Sequence, residues 1–439
     1  MAFIRKISVL PILLIVFASC TTVSHYEKID EYLYDGDYEA GLDAVKAEEG
    51  EAYGEKDKVL YYLDAGMVAH YAGNYEESSK LLHEGELAIE AAYTKSITAG
   101  VSSYLVNDTM LEYAGEDYED IYLNAFSALN YYHEGSIDDA LVEIRRLDNK
   151  LQYLSTKYGT EITNAQQAVM EKSSDIPYDP GTASVTFSNS ALGRYLGMLF
   201  YRSENQYDDA RIDRDQIKLA FANQPTVYNF QLPDSLEEDL DVPKGKARLN
   251  IVSFNGLAPV KTAVVERIPL GNSRWIKLSL PVITPRPSEI ARTEVVFDTG
   301  ARVNLELIEN MSTVASETFK QKAALIYLKT VLRSITKTSS SVAMSDASDR
   351  ADSAEAALLL SALSVGTQLY AEASEQADLR ISHYFPDKAF IGGITLDPGI
   401  YSYTIRYYDN SNRLVQENRF ESVEIKANKL NLTEAICVK

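Results

Sequence analysis

Apolar residues in the first half of the chain recur every three or four positions, with short polar breaks between the stretches. Residues 59–89, 121–147 and 191–217 each contain two such stretches. This spacing is typical of amphipathic α-helices that bury one face. We therefore predict pairs of antiparallel helices in this part of the chain.

From Ala247 onward the pattern changes to alternating or short β-branched apolar runs bounded by glycine and proline, which indicates strands. Two helices are predicted within this region, at 315–336 and 351–377, with a serine-rich polar loop between them. The fold class expected is α+β, with a helical N-terminal region and a strand-rich, mixed α/β C-terminal region. The predicted strands lie at 247–256, 262–270, 274–283, 293–298, 302–309, 389–396, 401–409, 413–420 and 422–430.

The helical stretches repeat one another. A small or flexible residue is followed seven positions later by glycine or asparagine, and then at fixed offsets by a bulky and a small residue. Gly73 and Gly135 would end the first helix of a pair in a turn that needs positive φ. The matching positions are Gly66, Gly73, Tyr75, Ser78 and Leu82; Ala128, Gly135, Ile137, Ala140 and Ile144; Met198, Asn205, Tyr207, Ala210 and Arg214; and a degraded copy at Gly36, Tyr38 and Gly41.

This spacing resembles the tetratricopeptide repeat, a pair of antiparallel helices of about 34 residues. A generic helical bundle with recurring turns is the alternative, since residues 90–120 and 150–190 interrupt the copies. In such repeats the first helix of each pair lines a concave groove that binds partner segments. Packing between helices is the other interpretation of these side chains. The groove residues predicted to bind a partner are Met67, His70, Tyr71, Tyr122, Leu129, Tyr132, His133, Tyr195 and Arg202.

Charge is distributed unevenly along the chain. Residues 1–250 hold 43 of the 64 acidic residues but only 21 of the 42 basic residues, and the formal net charge is −22. An acidic surface argues against binding to nucleic acid or, by charge, to anionic lipid. The change in composition near residue 240, with a linker at 233–243, predicts domains at 20–235, 236–310, 311–377 and 378–439.

The first nineteen residues have the layout of a secretory signal peptide. Arg5 and Lys6 precede an apolar stretch at 7–17, and small Ala18 and Ser19 stand before Cys20. This order resembles a bacterial lipobox, which implies cleavage before Cys20 and acylation of its thiol; an ordinary signal peptide is the alternative. Two or more acyl chains hold a protein durably on a membrane. Thr21 in place of aspartate implies the outer membrane, with the protein facing the periplasm.

Several longer blocks resemble an uncharacterised family of bacterial tetratricopeptide-containing lipoproteins. The blocks are NDTMLEYAGEDYEDIYLNAFSALNYYHEGSIDDALVEIRRLDNKL at 107–151, YLGMLFYRSENQYDDARID at 195–213, NGLAPVKTAVVERIPL at 255–270, LKTVLRSITK at 328–337 and ADLRISHYFPDKAFI at 377–391. His383 and Tyr384 depart from the family, which tends to have tryptophan there. The resemblance implies the location and architecture given above but no activity. Its members often neighbour lipoprotein activators of penicillin-binding proteins, which suggests cell-envelope assembly.

Residues with catalytic chemistry do not form a recognisable motif. The five histidines give no HExxH pattern, the two cysteines no zinc pair, and no nucleophile elbow or phosphate-binding loop occurs. We therefore predict a non-enzymatic protein, without cofactor or metal, that binds envelope proteins through its helical groove. The alternatives are an activator of peptidoglycan synthesis and an envelope hydrolase that uses Asp378, Arg380 and His383.

Overall fold

The computed structural model describes residues 21–172, 185–271, 274–349 and 375–439. The molecule is about 50% helical and 23% strand, with helices in the N-terminal region and sheets in the C-terminal region. The predicted mixed class and the order of its parts are thereby confirmed. The predicted signal peptide at 1–19, the predicted lipid anchor Cys20 and most of the helix predicted at 351–377 lie outside the described residues.

The helical part, residues 21–240, consists mainly of antiparallel helix pairs. In four pairs the second helix begins after a turn of three residues, as the repeated sequence pattern predicts. Within the described residues these helices are α1 (Thr21–Tyr34), α2 (Tyr38–Ala47), α3 (Lys58–Tyr71), α4 (Tyr75–Ala99), α5 (Asp117–His133), α6 (Ile137–Leu154), α7 (Gly159–Lys172), α8 (Ala191–Ser203), α9 (Tyr207–Asn223) and α10 (Leu236–Leu240).

The four turns share one backbone geometry. Gly36, Gly73, Gly135 and Asn205 occupy equivalent positions, and all have positive φ, between 60° and 84°. In each turn this residue donates its N–H to the carbonyl three residues earlier, and the next residue donates to the carbonyl five residues earlier. These bonds satisfy carbonyls that the end of a helix leaves without a partner, and glycine or asparagine accepts the left-handed conformation at low cost.

Small residues allow the paired helices to approach closely, as predicted. A Cβ atom added at Gly66 in α3 would lie 2.8 Å from a methyl carbon of Leu82 in α4. Ser78 fills the neighbouring position and donates its hydroxyl to the carbonyl of Gly66 at 2.7 Å. The sequence repeat therefore reflects contacts between the two helices of a pair.

The described residues of the C-terminal part, 247–271, 274–349 and 375–439, form three sheets and one long helix, α11 (Met311–Asp349). Their strand orders are β10-β1-β7-β6, β5-β4-β8-β9 and β2-β3. The strands in the described residues are β1 (Ala247–Asn255), β2 (Val260–Gly271), β3 (Arg274–Thr284), β4 (Arg292–Phe297), β5 (Arg302–Asn304), β6 (Glu306–Asn310), β7 (Lys388–Leu396), β8 (Gly399–Tyr408), β9 (Leu414–Ile425) and β10 (Asn431–Cys437).

The first of these sheets is the middle of three layers. Strand β1 is buried along its whole length, and because side chains alternate between the faces of a strand it supplies two cores. Leu249 and Ile251 pack against the second sheet, whereas Val252 and Phe254 belong to the core of the helical part. One hydrophobic core thus contains residues from both sides of position 240, so the helical part rests directly on this sheet.

The long helix α11 packs against the β2–β3 hairpin and against α7. It includes the helix predicted at 315–336 but extends further at both ends. The prediction of a serine-rich loop after residue 336 is wrong as far as Asp349, where the chain is helical. Serine has only a modest helix penalty, so a loop based on composition alone was a weak inference.

Candidate functional site

The nine residues predicted to line a groove lie on the first helices of three pairs, α3, α5 and α8. These helices are neighbours, and the face on which the nine residues lie is covered by the C-terminal part of the same chain. Met67 and Leu129 are fully buried in the common core. Phe126 of α5, in the same core, packs against Phe254 of β1 at 4.9 Å between ring centroids.

Two tyrosines of this face bind main-chain atoms of the C-terminal part. Tyr71 donates its hydroxyl to the carbonyl of Tyr384 at 2.6 Å. The hydroxyl of Tyr132 accepts the N–H of Leu432 at 3.1 Å and lies 3.4 Å from the carbonyl of the same residue. Leu432 is in β10, the edge strand of the middle sheet. Tyr132 thus binds the main chain of an extended segment.

Two histidines of the same face hold one carboxylate of β10. The Nε2 atom of His70 lies 2.5 Å from Oε1 of Glu434, and Nε2 of His133 lies 2.9 Å from its Oε2. The other ring nitrogen of His70 lies 2.6 Å from Oδ1 of Asn130. Asn130 uses its amide group to donate to Ser78, so this oxygen accepts from His70. Both nitrogens of the His70 ring therefore act as donors, as in the protonated form.

The charges of this cluster support that assignment. Burial raises the pKa of Glu434, but the positive charge of His70 and the hydrogen bonds from both histidines outweigh it and lower the pKa to about 2. Burial lowers the pKa of His70, but the Glu434 charge and its hydrogen bonds raise it more, so the net shift is upward. The result is a buried ion pair between the two parts of the chain.

In the third helix pair the two predicted residues join a second buried polar network. Tyr195 donates to Oδ2 of Asp239 at 3.1 Å, while Arg202 donates to the Asp239 carbonyl and to Oδ1 of Asn250 at 2.8 Å. Asp239 also accepts from Arg248 and from Asn250, each at 2.8 Å. Asn250 and Arg248 belong to β1. Here too the predicted groove residues contact this chain's own sheet.

The segment before β7 inserts into the helical part through two buried carboxylates. Asp64 of α3 accepts the Ser382 hydroxyl at 2.7 Å and the His383 N–H at 2.9 Å. Glu119 of α5 accepts the Ser382 N–H at 2.5 Å and the Tyr113 hydroxyl at 2.8 Å. Burial raises the pKa of Asp64 to about 6, although these donors oppose the shift. Burial, with the nearby Glu116 charge, raises the pKa of Glu119 to about 7.

A third buried carboxylate, Glu309 of β6, meets the first turn of α8. It accepts from the Leu192 N–H at 2.8 Å, the Ser190 hydroxyl at 2.9 Å and the Tyr228 hydroxyl at 2.8 Å. A carboxylate in this position satisfies donors that the start of a helix leaves unpaired. Burial raises the pKa of Glu309 to about 7. The predicted groove residue Tyr122 is fully buried, and the nearby Glu309 charge adds to the burial that raises its pKa.

The residues considered as a hydrolase site lie close in sequence but do not form a hydrogen-bonded set. Arg380 binds Asp378 at 2.8 Å and Asp57 at 3.0 Å, which connects this segment to the helical part. The ring of His383 instead stacks on Tyr26, with centroids 3.5 Å apart. Its Nδ1 has no hydrogen-bond partner among the described residues. Burial, with the charge of Arg286, holds the pKa of His383 well below its usual value.

Sequence reasoning identified this face but not what covers it. Glu434 was missed, although its strand carries a signal: Leu432, Glu434 and Ile436 share one face of β10, so a charge interrupts an apolar row. Its neighbour in register is Val252 of β1, which also faces the helices. The role of the nine residues in binding a separate partner stays a prediction, since the contacts seen here are within the chain.

Within the described part of the chain, no group of three or more histidine, cysteine or acidic residues is arranged to hold a metal ion. The same residues include no helix with the length and apolar character required to span a bilayer. Comparisons with family models, curated proteins and solved structures found no match to this chain.

Proposed function

We propose that this protein is a non-enzymatic interaction protein of the bacterial envelope, tethered by acylated Cys20 to the outer membrane and facing the periplasm. The helical part would be a tetratricopeptide-like array, for which four turns of one geometry are the support. The tether is supported by the sequence around Cys20 alone. Its partners would be other envelope proteins, as the family resemblance implies.

The observation that carries the proposal is the contact between the helical face and β10. Tyr132 binds the main chain of an extended segment, and His70 with His133 binds one of its side chains. Repeat arrays present extended concave surfaces for binding, and this face holds an extended segment. Here the segment bound belongs to the chain itself.

The location of the partner surface follows from this internal contact. The face of α3, α5 and α8 is part of the common core, so its exposure would require separation of large apolar surfaces. We therefore infer that partners meet the outer surface that the two parts form together, and that the groove serves to hold the parts in one arrangement.

The tether is tested by replacement of Cys20 with serine. We expect Cys20→Ser to abolish incorporation of labelled palmitate and to move the protein from the membrane fraction to the soluble periplasm, because the serine hydroxyl does not replace the thiol as acyl acceptor. Fractionation and palmitate labelling measure both effects. Cys437→Ser is the matched control and should remain in the membrane fraction, since Cys437 is buried in β10. Unchanged membrane association of Cys20→Ser would contradict the tether.

Partner binding is tested by cross-linking in intact envelopes, with Glu434→Ala beside the wild type. If the outer surface binds the partner, Glu434→Ala should lower the recovery of cross-linked protein or leave it unchanged. Increased recovery would show that a partner competes with β10 for the groove. Failure to recover any specific protein, together with turnover of a small molecule, would overturn the proposal.

A further inference from the structure

The two segments that interrupt the helix repeats, together with α11, enclose a cavity of about 810 Å³. Its walls come from the last turns of α4, the segment between α4 and α5, the end of α6, α7 and the middle of α11. This volume lies within the range of small-molecule binding sites. The cavity is separate from the face that β10 covers.

The walls combine apolar and aromatic side chains with lysines. Five tyrosines line the cavity, namely Tyr93, Tyr104, Tyr113, Tyr153 and Tyr158, with apolar surface supplied by Ala92, Ile97, Leu325 and Ile326. Aromatic and aliphatic walls with a few polar groups are typical of sites for organic ligands. Such walls favour a ligand with an apolar body.

Most of the lysines that line the cavity have an acidic partner. Lys322 lies 2.8 Å from Glu116, which also pairs with Lys261. Lys157 pairs with Asp117 at 2.6 Å. Lys261 and Lys322 thus share the Glu116 carboxylate, and each of these three lysines is held by an acidic partner within the protein.

Lys329 is different. It lies one turn of α11 beyond Ile326, lines the cavity and is only 8% exposed. Among the residues that the structure describes it has no hydrogen bond or ion pair; its ammonium lies 5.3 Å from the centre of the Tyr104 ring. Burial lowers the pKa of Lys329; Asp108 opposes this shift, and the charges of Arg333 and Lys322 reinforce it.

A buried ammonium without an acidic partner is costly to the folded protein. Residues that lower stability in this way are concentrated at binding sites, where a ligand supplies the missing contact. The cavity is also open to solvent, and Met110, Tyr153 and Ile97 in its lining are 63%, 52% and 47% exposed. An apolar ligand could enter past these side chains.

We propose that this cavity binds an apolar ligand with a single anionic group, of the class of long-chain carboxylates, and that the carboxylate pairs with the ammonium of Lys329. The apolar chain lies along Leu325, Ile326 and the tyrosine walls. One anionic group is specified because Lys329 is the one buried lysine of the cavity wall without an acidic partner among the described residues. This site goes beyond the interaction function proposed above and does not depend on it.

The test uses cis-parinarate, a fluorescent long-chain carboxylate, and its uncharged methyl ester, with the full-length mature protein. We expect saturable binding of parinarate to the wild type. In Lys329→Met the affinity for parinarate should fall by about 10- to 100-fold, the range for loss of a buried charged contact. Affinity for the ester should be unchanged or higher, because methionine retains the apolar stem and removes the unpaired charge.

Lys95→Met is the matched control. Lys95 also lines the cavity, but it is exposed and pairs with Glu112 at 2.5 Å, so its replacement should leave parinarate binding unchanged. The proposal is overturned if the wild type shows no saturable binding of parinarate. It is also overturned if Lys329→Met weakens the binding of parinarate and of its methyl ester equally. The same holds if Lys329→Met weakens the binding of neither compound.

A stability measurement separates a binding role from a structural one. Without ligand, Lys329→Met should unfold at a higher urea concentration than the wild type, since it removes a buried charge that has no partner. A residue that serves to hold the fold together would instead lower the urea midpoint when replaced. Lower stability in Lys329→Met would therefore contradict the proposal even if parinarate binding were lost.

Discussion

Replacement of Glu434 by alanine is expected to lower the free energy of unfolding by about 3–5 kcal/mol, the range for removal of one partner from a buried ion pair. In the wild type a Glu434 oxygen lies 2.5 Å from Nε2 of His70. In the variant the His70 ring stays buried and has no carboxylate beside it. The lowering of the Glu434 pKa from 4.5 to about 2 corresponds to ~3 kcal/mol by itself. Denaturant unfolding near pH 7 measures the change.

The matched control for this experiment is Glu424→Ala, on β9. Glu424 is exposed and pairs with Lys426 at 2.9 Å, and exposed pairs contribute ~0–1 kcal/mol. A double-mutant cycle of Glu434→Ala with His70→Ala should also give a coupling of at least ~1 kcal/mol, since the residues touch. Additive effects of the two variants, or a loss equal to that of Glu424→Ala, would contradict the ion pair between the two parts.

Stability is also expected to depend on pH, with a maximum at about pH 4. Asp64, Glu119 and Glu309 have pKa values raised to about 6, 7 and 7. The folded protein thus holds protons that the unfolded chain has released, so stability falls as pH rises from about 4.5 to 7. The raised pKa of His70 also makes stability fall as pH rises above 6.5, the ordinary pKa of histidine. The depressed pKa of Glu434 causes the opposite loss, as pH falls from about 4.5 to 2.

Asp64→Asn isolates one of these groups. The shift of Asp64 from 3.8 to about 6 corresponds to ~3 kcal/mol over that interval. Asparagine keeps the shape: its oxygen can accept from Ser382 and His383, and its amide can donate to the hydroxyl oxygens of Tyr26 and Tyr53. Asp64→Asn removes the uptake of one proton on folding, so we expect its stability to decline less steeply than that of the wild type between pH 4 and 6. Above pH 7 the variant should be more stable than the wild type.

Urea unfolding at intervals between pH 4 and 8 measures this slope. Glu84→Gln on α4 is the control, because Glu84 is exposed and its replacement should leave the slope unchanged. A slope in Asp64→Asn equal to that of the wild type would show that Asp64 does not take up a proton on folding, contrary to its buried position.

The local features of the fold were predictable because they depend on neighbouring residues. Gly73 and Gly135 marked helix ends through their backbone freedom, and both have positive φ as expected. The alternation in 247–256 predicted β1, which spans Ala247–Asn255. Each of these inferences needed only a few residues of sequence.

The contacts between the two parts were not predictable, because they join residues far apart in sequence. His70 and Glu434 are separated by 364 positions, and no local pattern indicates which strand covers the groove. The parallel pairing of β10 with β1 determines which strand covers the groove. These two strands lie at opposite ends of the C-terminal part in sequence. Lys329 was missed for a related reason, since its helix reads as an ordinary amphipathic one and only the fold shows that its ammonium lacks an acid.

The groove residues show how one pattern supports two interpretations. Tyr71 and Tyr132 were assigned both to partner binding and to internal packing by sequence, and in the structure they bind main-chain atoms of the C-terminal part. Recognition of an extended segment and packing within the chain are the same physical interaction here. Only the identity of the segment differs.

The most direct test of this account replaces Tyr132 with the photo-cross-linker benzoylphenylalanine in cells, followed by mapping of the adducts by mass spectrometry. Position 132 is partly exposed and contacts Leu432 of β10. If the helical face holds the chain's own last strand, the main product should be an internal cross-link to residues 430–434. A main product joined to another protein, with no cross-link to β10, would contradict the account.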